Sequence, residues 1–178
     1  NLNLDDNQIL TFVKACIEMY LFTNSSDGKF TGDELVSDDE IKYRFYKGYD
    51  AETKKAFNYA KKNKIKIFTT CGDINTAKWV EKLNPIAWKI SSGLIHHIPL
   101  ISYLSKFKRT MILSTGIAKF EEVGTAVKAV RAKGNNKIVI LQCTSNYPVR
   151  SENINLSKIR LYKKKYKCEV GFSDHSIG

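Results

Sequence analysis

The sequence KIVILQCTSN, at residues 137–146, is an apolar run that ends in hydroxyl and amide side chains. Four other segments share this pattern of a short apolar stretch followed by small polar residues: KIKIFTT at 64–70, AWKISSG at 87–93, TMILSTG at 110–116 and CEVGFSDH at 168–175. Runs of this length that are rich in β-branched residues are typical of buried strands. We therefore predict a strand in each of these segments.

Stretches with helical periodicity alternate with the predicted strands. They lie at residues 52–63, 74–83, 98–107, 119–134 and 155–167. Because a short hairpin cannot return the chain to the same end of a sheet, this alternation predicts parallel strands in an α/β fold. About five βα units suit either part of a TIM (β/α)8 barrel or a doubly wound sheet.

The first 40 residues differ from the rest of the chain. Asp5 or Asp6 is a suitable cap for an amphipathic helix, and NSSDGKFTGDE at 24–34 is typical of turns. We predict an N-terminal helix-and-turn segment at 1–40 and a barrel domain at 41–178. An eight-fold barrel takes about 250 residues, whereas this chain has 178 and begins with Asn. We therefore expect a fragment of a larger protein.

The polar residues that end the strands are expected to meet. Parallel strands have their carboxyl ends at one edge of the sheet, which is where α/β folds bind ligands. Lys89 should lie near that edge. The hydroxyl residues expected there are Thr69, Thr70, Ser91, Ser92, Ser114, Thr115, Thr144, Ser145 and Ser173. Hydroxyls, glycines and a lysine together suit a phosphate or a polyhydroxylated substrate.

Lys89 is the most informative single residue, because it stands inside an apolar strand between Trp88 and Ile90. A lysine in such a place is costly unless it meets an anion or a cavity. Its amine is suited to bind phosphate or carboxylate, or to form a Schiff base as in class I aldolases. The alternative is a lysine at a strand end that extends to water.

Two further motifs carry possible chemistry. The STG sequence at 114–116 opens a loop after a strand, where hydroxyls and backbone N–H groups form anion cradles. SDH at 173–175 combines a hydroxyl, a carboxylate and an imidazole, so His175 is a candidate ligand for a divalent metal. A single histidine is also commonly structural. His96 and His97 are adjacent and are predicted to be loop residues.

The composition limits the class of protein. The chain carries 29 basic and 18 acidic residues, a net charge of +11, which permits a nucleic acid or an anionic substrate as partner. We interpret the lysines as solvated helix faces, since the sequence contains no recognisable nucleic-acid-binding module. The four cysteines form no CxxC pair, which indicates reduced thiols and a cytoplasmic protein. No signal peptide or membrane-spanning run is visible.

The motifs KISSG, ILSTG, LQCTSNYP and VGFSDHSIG, in this order and spacing, resemble those of the sialic acid synthases. This family comprises the phosphoenolpyruvate-dependent synthases of N-acetylneuraminate and of its legionaminate and pseudaminate relatives. The resemblance covers about residues 50–178, and CTSNYP and GFSDHS are its most specific parts. It implies a TIM barrel that condenses phosphoenolpyruvate with the open-chain aldehyde of an N-acetylated hexosamine such as N-acetylmannosamine, and releases phosphate.

The resemblance also implies roles for particular residues. Lys89, Tyr147 and His175 would be catalytic, and His175 would be one of two histidines that bind Mn²⁺ or Mg²⁺. The residues implied to bind phosphoenolpyruvate are Thr70, Lys89, Ser92, Ser114, Ser145 and Ser173. The resemblance further implies a homodimer for the full-length protein, whose first strands, last strand and C-terminal antifreeze-like domain would lie outside this chain. We therefore expect these 178 residues alone to be inactive.

Leu94 is one of several positions that depart from the family pattern. Leu94 stands where the family usually has an acidic residue that contacts the acetamido sugar. Three alternatives to the synthase are an aldolase-type barrel with Lys89 as its Schiff-base lysine, a basic protein that binds nucleic acid without catalysis, and a degenerate relative that keeps the fold but binds no sugar. Leu94 supports the last of these.

Overall fold

A computed structural model describes residue 51 and residues 53–177. The predicted N-terminal helix-and-turn segment at 1–40 lies outside these residues. The chain divides into two compact units at Lys66 and Ile67. In the first unit, the described residues contain a helix at 53–62. The second unit contains the sheet and the candidate site.

The second unit is built on five parallel strands. These are β1 (Thr69–Thr70), β2 (Ala87–Ile90), β3 (Thr110–Ser114), β4 (Ile138–Gln142) and β5 (Glu169–Phe172). Their order in the sheet is the order along the chain, and every neighbouring pair is parallel. A doubly wound sheet reverses its strand order at a switch point, whereas in a barrel each strand lies beside the next. The predicted α/β fold, part of a TIM barrel, is therefore confirmed.

Helices connect the strands as predicted. They are α1 (Ile74–Val80), α2 (Ile98–Ser105), α3 (Phe120–Ala132) and α4 (Ser157–Tyr166). Short 3₁₀ turns lie at Glu81–Leu83, Ser92–Leu94 and Ser151–Asn153.

Local side-chain chemistry explains where α1, α2 and α3 begin. Asp73 caps α1, because its carboxylate accepts hydrogen bonds from the backbone N–H groups of Asn75 and Thr76 at 2.7 and 2.9 Å. At the start of α2, the ring Nδ1 of His97 accepts the N–H of Leu100 at 3.2 Å. The backbone N–H of Lys119, the residue before α3, donates to Glu122 Oε2 at 2.6 Å. These contacts satisfy N–H groups that have no partner within the helix.

The first strand is much shorter than predicted. The segment KIKIFTT was expected to be extended throughout, but only Thr69 and Thr70 form a strand. Lys64 instead adopts a left-handed conformation with φ of 57°. The N–H of Ile65 bonds to the carbonyl of Ala60 at 2.8 Å, so this part of the segment ends the preceding helix. The apolar alternation alone did not distinguish a strand from a helix end.

The core lies between the sheet and its helices. Trp88, Ile90, Met111 and Leu113 are fully buried in the sheet. The helix residues buried against them are Val80, Leu100, Ile101, Leu104, Val123 and Val130. None of the helices in the described part of the chain combines the length and apolar character needed to cross a membrane.

The described cysteines are free, in agreement with the predicted reduced thiols. Cys71 and Cys143 are buried, and Cys168 is half-buried. Burial and the neighbouring Asp73 carboxylate raise the pKa of Cys71 to about 12, which keeps that thiol protonated and unreactive. Cys16 lies outside the described residues.

Candidate functional site

A pocket of about 190 Å³ opens at the carboxyl ends of β2 to β5. Its size suits a small, compact ligand. Every side chain that lines it belongs to a strand end or to the loop that follows. The lining residues are Lys89, Ser91, Ser92, Gly93, Ser114, Cys143, Ser145, Tyr147, Ser173 and His175.

Lys89 supplies the cationic group of this pocket. It lies in β2, in register with Thr70 of β1 and Ile112 of β3, so its backbone is fixed between two neighbouring strands. Burial lowers the pKa of its amine below the ordinary value, and the electrostatic influence of the nearby Cys143 side chain partly opposes this change. A bound anion would stabilise the charged amine and raise that pKa again.

Ser92 and Ser114 place hydroxyls beside the lysine in different ways. Ser92 Oγ accepts a hydrogen bond from the N–H of Gly116 at 2.9 Å and lies 3.3 Å from Cys143 Sγ. Ser114 is only 3% exposed, and its Oγ forms no hydrogen bond with any group that the structure describes. A buried hydroxyl without a partner is costly. Because it lies in the pocket wall, this hydroxyl is placed to hydrogen-bond to a polar molecule in the pocket.

Gly116 allows these groups to approach one another closely. A Cβ atom at this position would collide with Ser145 Oγ and would lie 2.7 Å from Ser92 Oγ and 3.1 Å from Cys143 Sγ. A side chain at this position would therefore displace Ser92 and Ser145, where the loop after β3 meets the loops after β2 and β4.

His175 forms the centre of a second polar group. Its Nδ1 lies 2.7 Å from the carbonyl oxygen of Thr144, and its Nε2 lies 3.2 Å from Tyr147 Oη and 3.4 Å from Ser173 Oγ. The Tyr147 ring stacks on the imidazole, with ring centres 4.1 Å apart. A carbonyl can only accept, so in neutral His175 the hydrogen is on Nδ1 and Nε2 carries the lone pair, beside the hydroxyls of the pocket residues Tyr147 and Ser173.

This tautomer is the one that a metal-binding histidine uses. Metal-ligating imidazoles usually donate their other N–H to a carbonyl or carboxylate, which fixes the ring. His175 therefore fits the predicted role of a metal ligand. The described residues contain no group of three His, Cys, Asp or Glu side chains that could hold an ion together.

The structure brings together most of the residues that the sequence singled out. Lys89, Tyr147 and His175 all line the pocket, and so do Ser92, Ser114, Ser145 and Ser173. Thr70 is not among the lining residues and lies in register with Lys89 on the adjacent strand.

Other hydroxyls expected at this edge have structural partners. Thr115 Oγ1 donates to the carbonyl of Leu141 at 3.1 Å, and Thr144 Oγ1 donates to the carbonyl of Asn153 at 2.9 Å. These two hydroxyl hydrogens are engaged by backbone carbonyls and are therefore not available to a ligand.

The two adjacent histidines do not line the pocket. His97 caps α2, and His96 Nε2 lies 3.1 Å from the carboxylate of Glu122. Conversely, sequence reasoning gave no site role to Cys143, and it considered Gly116 only as part of the STG motif. Their position directly after a strand was the available signal, but it applied equally to many residues.

Comparison with known proteins gives a consistent result. The sequence matches the NeuB family over residues 21–178. It is 36% identical to the spore coat polysaccharide biosynthesis protein SpsE of Bacillus subtilis, in an alignment covering 67% of this chain and 32% of that protein. It is 34% identical to a pseudaminic acid synthase of Campylobacter jejuni, covering 68% of this chain and 36% of the synthase.

The fold has a close counterpart among solved structures. The N-acetylneuraminic acid synthetase of Leptospira borgpetersenii, crystallised in complex with citrate, superposes with a TM-score of 0.68 and 31% sequence identity. That alignment covers 72% of this chain and 45% of the synthetase. The chain thus spans about a third of the length of the two curated relatives above. The family match extends over most of its residues, and the chain belongs to the NeuB family.

Proposed function

We propose that this chain contributes the phosphoenolpyruvate site of a synthase that makes a sialic acid or a related nonulosonic acid. In the proposed reaction, the enol carbon of phosphoenolpyruvate attacks the open-chain aldehyde of an N-acetylated hexosamine such as N-acetylmannosamine. Water then adds to the resulting cationic carbon, and phosphate leaves through cleavage of the carbon–oxygen bond. Relatives with similar sequences include synthases of pseudaminic acid and of N,N'-diacetyllegionaminic acid.

The observation that supports this proposal most strongly is the convergence of Lys89 with Ser92, Ser114 and Ser173 on one small pocket. Phosphoenolpyruvate is a compact polyanion with phosphate and carboxylate oxygens. A cationic amine and fixed hydroxyl donors form a preorganised environment for such charges, since they need little rearrangement on binding. The unpartnered hydroxyl of Ser114 is explained if a ligand oxygen accepts its hydrogen.

His175 is proposed as a ligand of Mn²⁺ or Mg²⁺. When bound, a divalent metal would supply Lewis-acid polarisation of the aldehyde oxygen. The chain's own contribution is to hold the imidazole in one orientation through Thr144 and to leave the lone pair on Nε2. Tyr147, which covers the ring and is 77% exposed, is proposed to contact the substrates at the pocket entrance.

Phosphoenolpyruvate binding to the purified chain tests the proposal directly. Isothermal titration should show saturable binding that is lost in Lys89→Met. Lys128→Met is the matched control, because it removes the same charge from an exposed position on α3. Equal binding by the unaltered chain and by Lys89→Met would contradict the proposal. Phosphate release with N-acetylmannosamine and Mn²⁺, followed in the same samples, tests the expected inactivity of these 178 residues, which turnover would refute.

An aldolase-type reaction of Lys89 is the second candidate. The lowered pKa of the Lys89 amine favours it, because a Schiff base forms from the neutral amine. Borohydride reduction in the presence of pyruvate, followed by peptide mass spectrometry, separates the two candidates. A Schiff-base enzyme would carry a stable adduct on Lys89, whereas the proposed synthase site leaves this lysine unmodified.

A further inference from the structure

Cys143 has no role in the proposed reaction, yet its thiol lies in the wall of the pocket. The residue follows β4 directly and is only 4% exposed. Its Sγ lies 3.3 Å from Ser92 Oγ, which is 51 positions away in the sequence. The same pocket contains the unpartnered and buried hydroxyl of Ser114, which is independently placed to hydrogen-bond to a polar ligand.

The hydrogen bonds of Ser92 determine what it can offer to a ligand. A hydroxyl group has one hydrogen and two lone pairs. The N–H of Gly116 occupies one lone pair of Ser92 Oγ at 2.9 Å. If the Cys143 thiol donates to the second lone pair, the hydroxyl hydrogen has no acceptor among these groups and is directed to the pocket. If the thiol accepts instead, Ser92 presents a lone pair, which repels an anion.

We infer that Cys143 is a positioning residue: its thiol donates to Ser92 and thereby makes the Ser92 hydroxyl a hydrogen-bond donor toward the bound anion. This inference rests on the proposed function, because it takes phosphoenolpyruvate as the anion. Cys143 acts through Ser92 and does not need to touch the ligand. Fixing the donor in advance avoids the cost of reorienting it on binding.

The inference predicts a specific pattern of affinities for phosphoenolpyruvate. Cys143→Ala removes the donor and should weaken binding roughly tenfold, in line with the loss of one oriented hydrogen bond. Cys143→Ser retains an O–H donor and should bind within about twofold of the unaltered chain. Ser92→Ala should weaken binding at least as much as Cys143→Ala, because it removes the group that contacts the ligand.

A double-mutant cycle separates this role from a merely structural one. Once Ser92 is alanine, Cys143→Ala should cause no further loss of affinity, because its effect passes through the missing hydroxyl. A thiol that only filled space would cause the same loss in either background. Thermal unfolding of each variant verifies folding, and Cys143→Val, which fills the site with an apolar side chain that cannot donate, replaces the alanine variant if the latter does not fold.

The outcomes distinguish this inference from the proposed function. If the unaltered chain binds phosphoenolpyruvate and Cys143→Ala binds equally well, or if the two changes are additive, the positioning role is overturned while the proposed function stands. If the unaltered chain does not bind phosphoenolpyruvate, both are overturned. Loss in Cys143→Ala, recovery in Cys143→Ser and non-additivity with Ser92→Ala together support the positioning role.

Discussion

Replacing Gly116 by alanine is the most direct perturbation of the pocket, because it adds one carbon atom at the point where three loops meet. The new Cβ would collide with Ser145 Oγ and lie 2.7 Å from Ser92 Oγ. Real Cβ atoms do not tolerate such separations, so the two serines must move. The N–H of Gly116 would then also lose its 2.9 Å hydrogen bond to Ser92.

The expected loss of affinity follows from the number of hydroxyls displaced. A hydrogen bond to a charged group contributes about 1.5 kcal/mol or more. Displacing both serines therefore costs about 3 kcal/mol, which corresponds to roughly a hundredfold weaker binding of phosphoenolpyruvate. The free energy of unfolding should fall by about 1–2 kcal/mol, because crowding outweighs the entropy gained by replacing a glycine.

Two matched variants control for the general effects of a glycine-to-alanine change. An alanine at Gly124 is also crowded, with its Cβ 3.1 Å from Tyr166 Oη, but Gly124 lies in α3 and not in the pocket. An alanine at Gly72 would meet no atom within 4 Å. Both variants should bind phosphoenolpyruvate as the unaltered chain does, in isothermal titrations paired with urea unfolding. If Gly116→Ala also kept full affinity while folded, the reasoning that Ser92 and Ser145 hold the ligand would be wrong.

Three further predictions concern single side chains. Burial lowers the pKa of Lys89, so its charged amine destabilises the fold at neutral pH. The unaltered chain should therefore gain stability as the pH rises from that lowered pKa toward the ordinary value of 10.5, because the folded state loses this proton first. Urea unfolding of Lys89→Met should lack this gain. Ser114→Ala should not lower the melting temperature, because the hydroxyl has no partner among the described residues, yet titration should show about tenfold weaker binding of phosphoenolpyruvate. Arg109→Met should lower the free energy of unfolding in urea by about 3 kcal/mol, because it breaks the 2.6 Å ion pair with Glu81 and the hydrogen bond to Asn84. The folded fraction of this variant should keep its affinity for phosphoenolpyruvate. The first prediction is contradicted if the stability of Lys89→Met changes with pH as that of the unaltered chain does. The second is contradicted if Ser114→Ala has a lower melting temperature, and the third if Arg109→Met has an unchanged unfolding midpoint.

The placement of the pocket residues at one edge of the sheet was predictable because it depends only on strand direction. Parallel strands have their carboxyl ends at one edge, so Lys89, Ser92 and Ser173 were expected at that edge once the segments were identified as strands. The same reasoning could not choose among hydroxyls within one loop. Thr115 and Thr144 follow their strands as closely as the serines do, but their hydroxyls bond to backbone carbonyls.

The sequence also left the closure of the sheet undecided, since helix and strand periodicity are the same in a barrel and in a doubly wound sheet. Strand order depends on which helix faces pack together, and this is a property of the whole fold. The consecutive order from β1 to β5 identified the barrel. Residue periodicity likewise did not reveal that Lys64 ends a helix, because a left-handed residue has no strong signature apart from glycine and asparagine.

The amino-acid sequence by itself therefore determined the parallel α/β arrangement and the candidate residues, because the periodicity of apolar residues and the polar strand ends are local features. Only the tertiary structure decided which of those residues share a ligand. The contact between Ser92 and Cys143, and the close approach that Gly116 permits, join loops that follow different strands. Such contacts depend on the orientation and separation of the strands, and these are set by packing of the core.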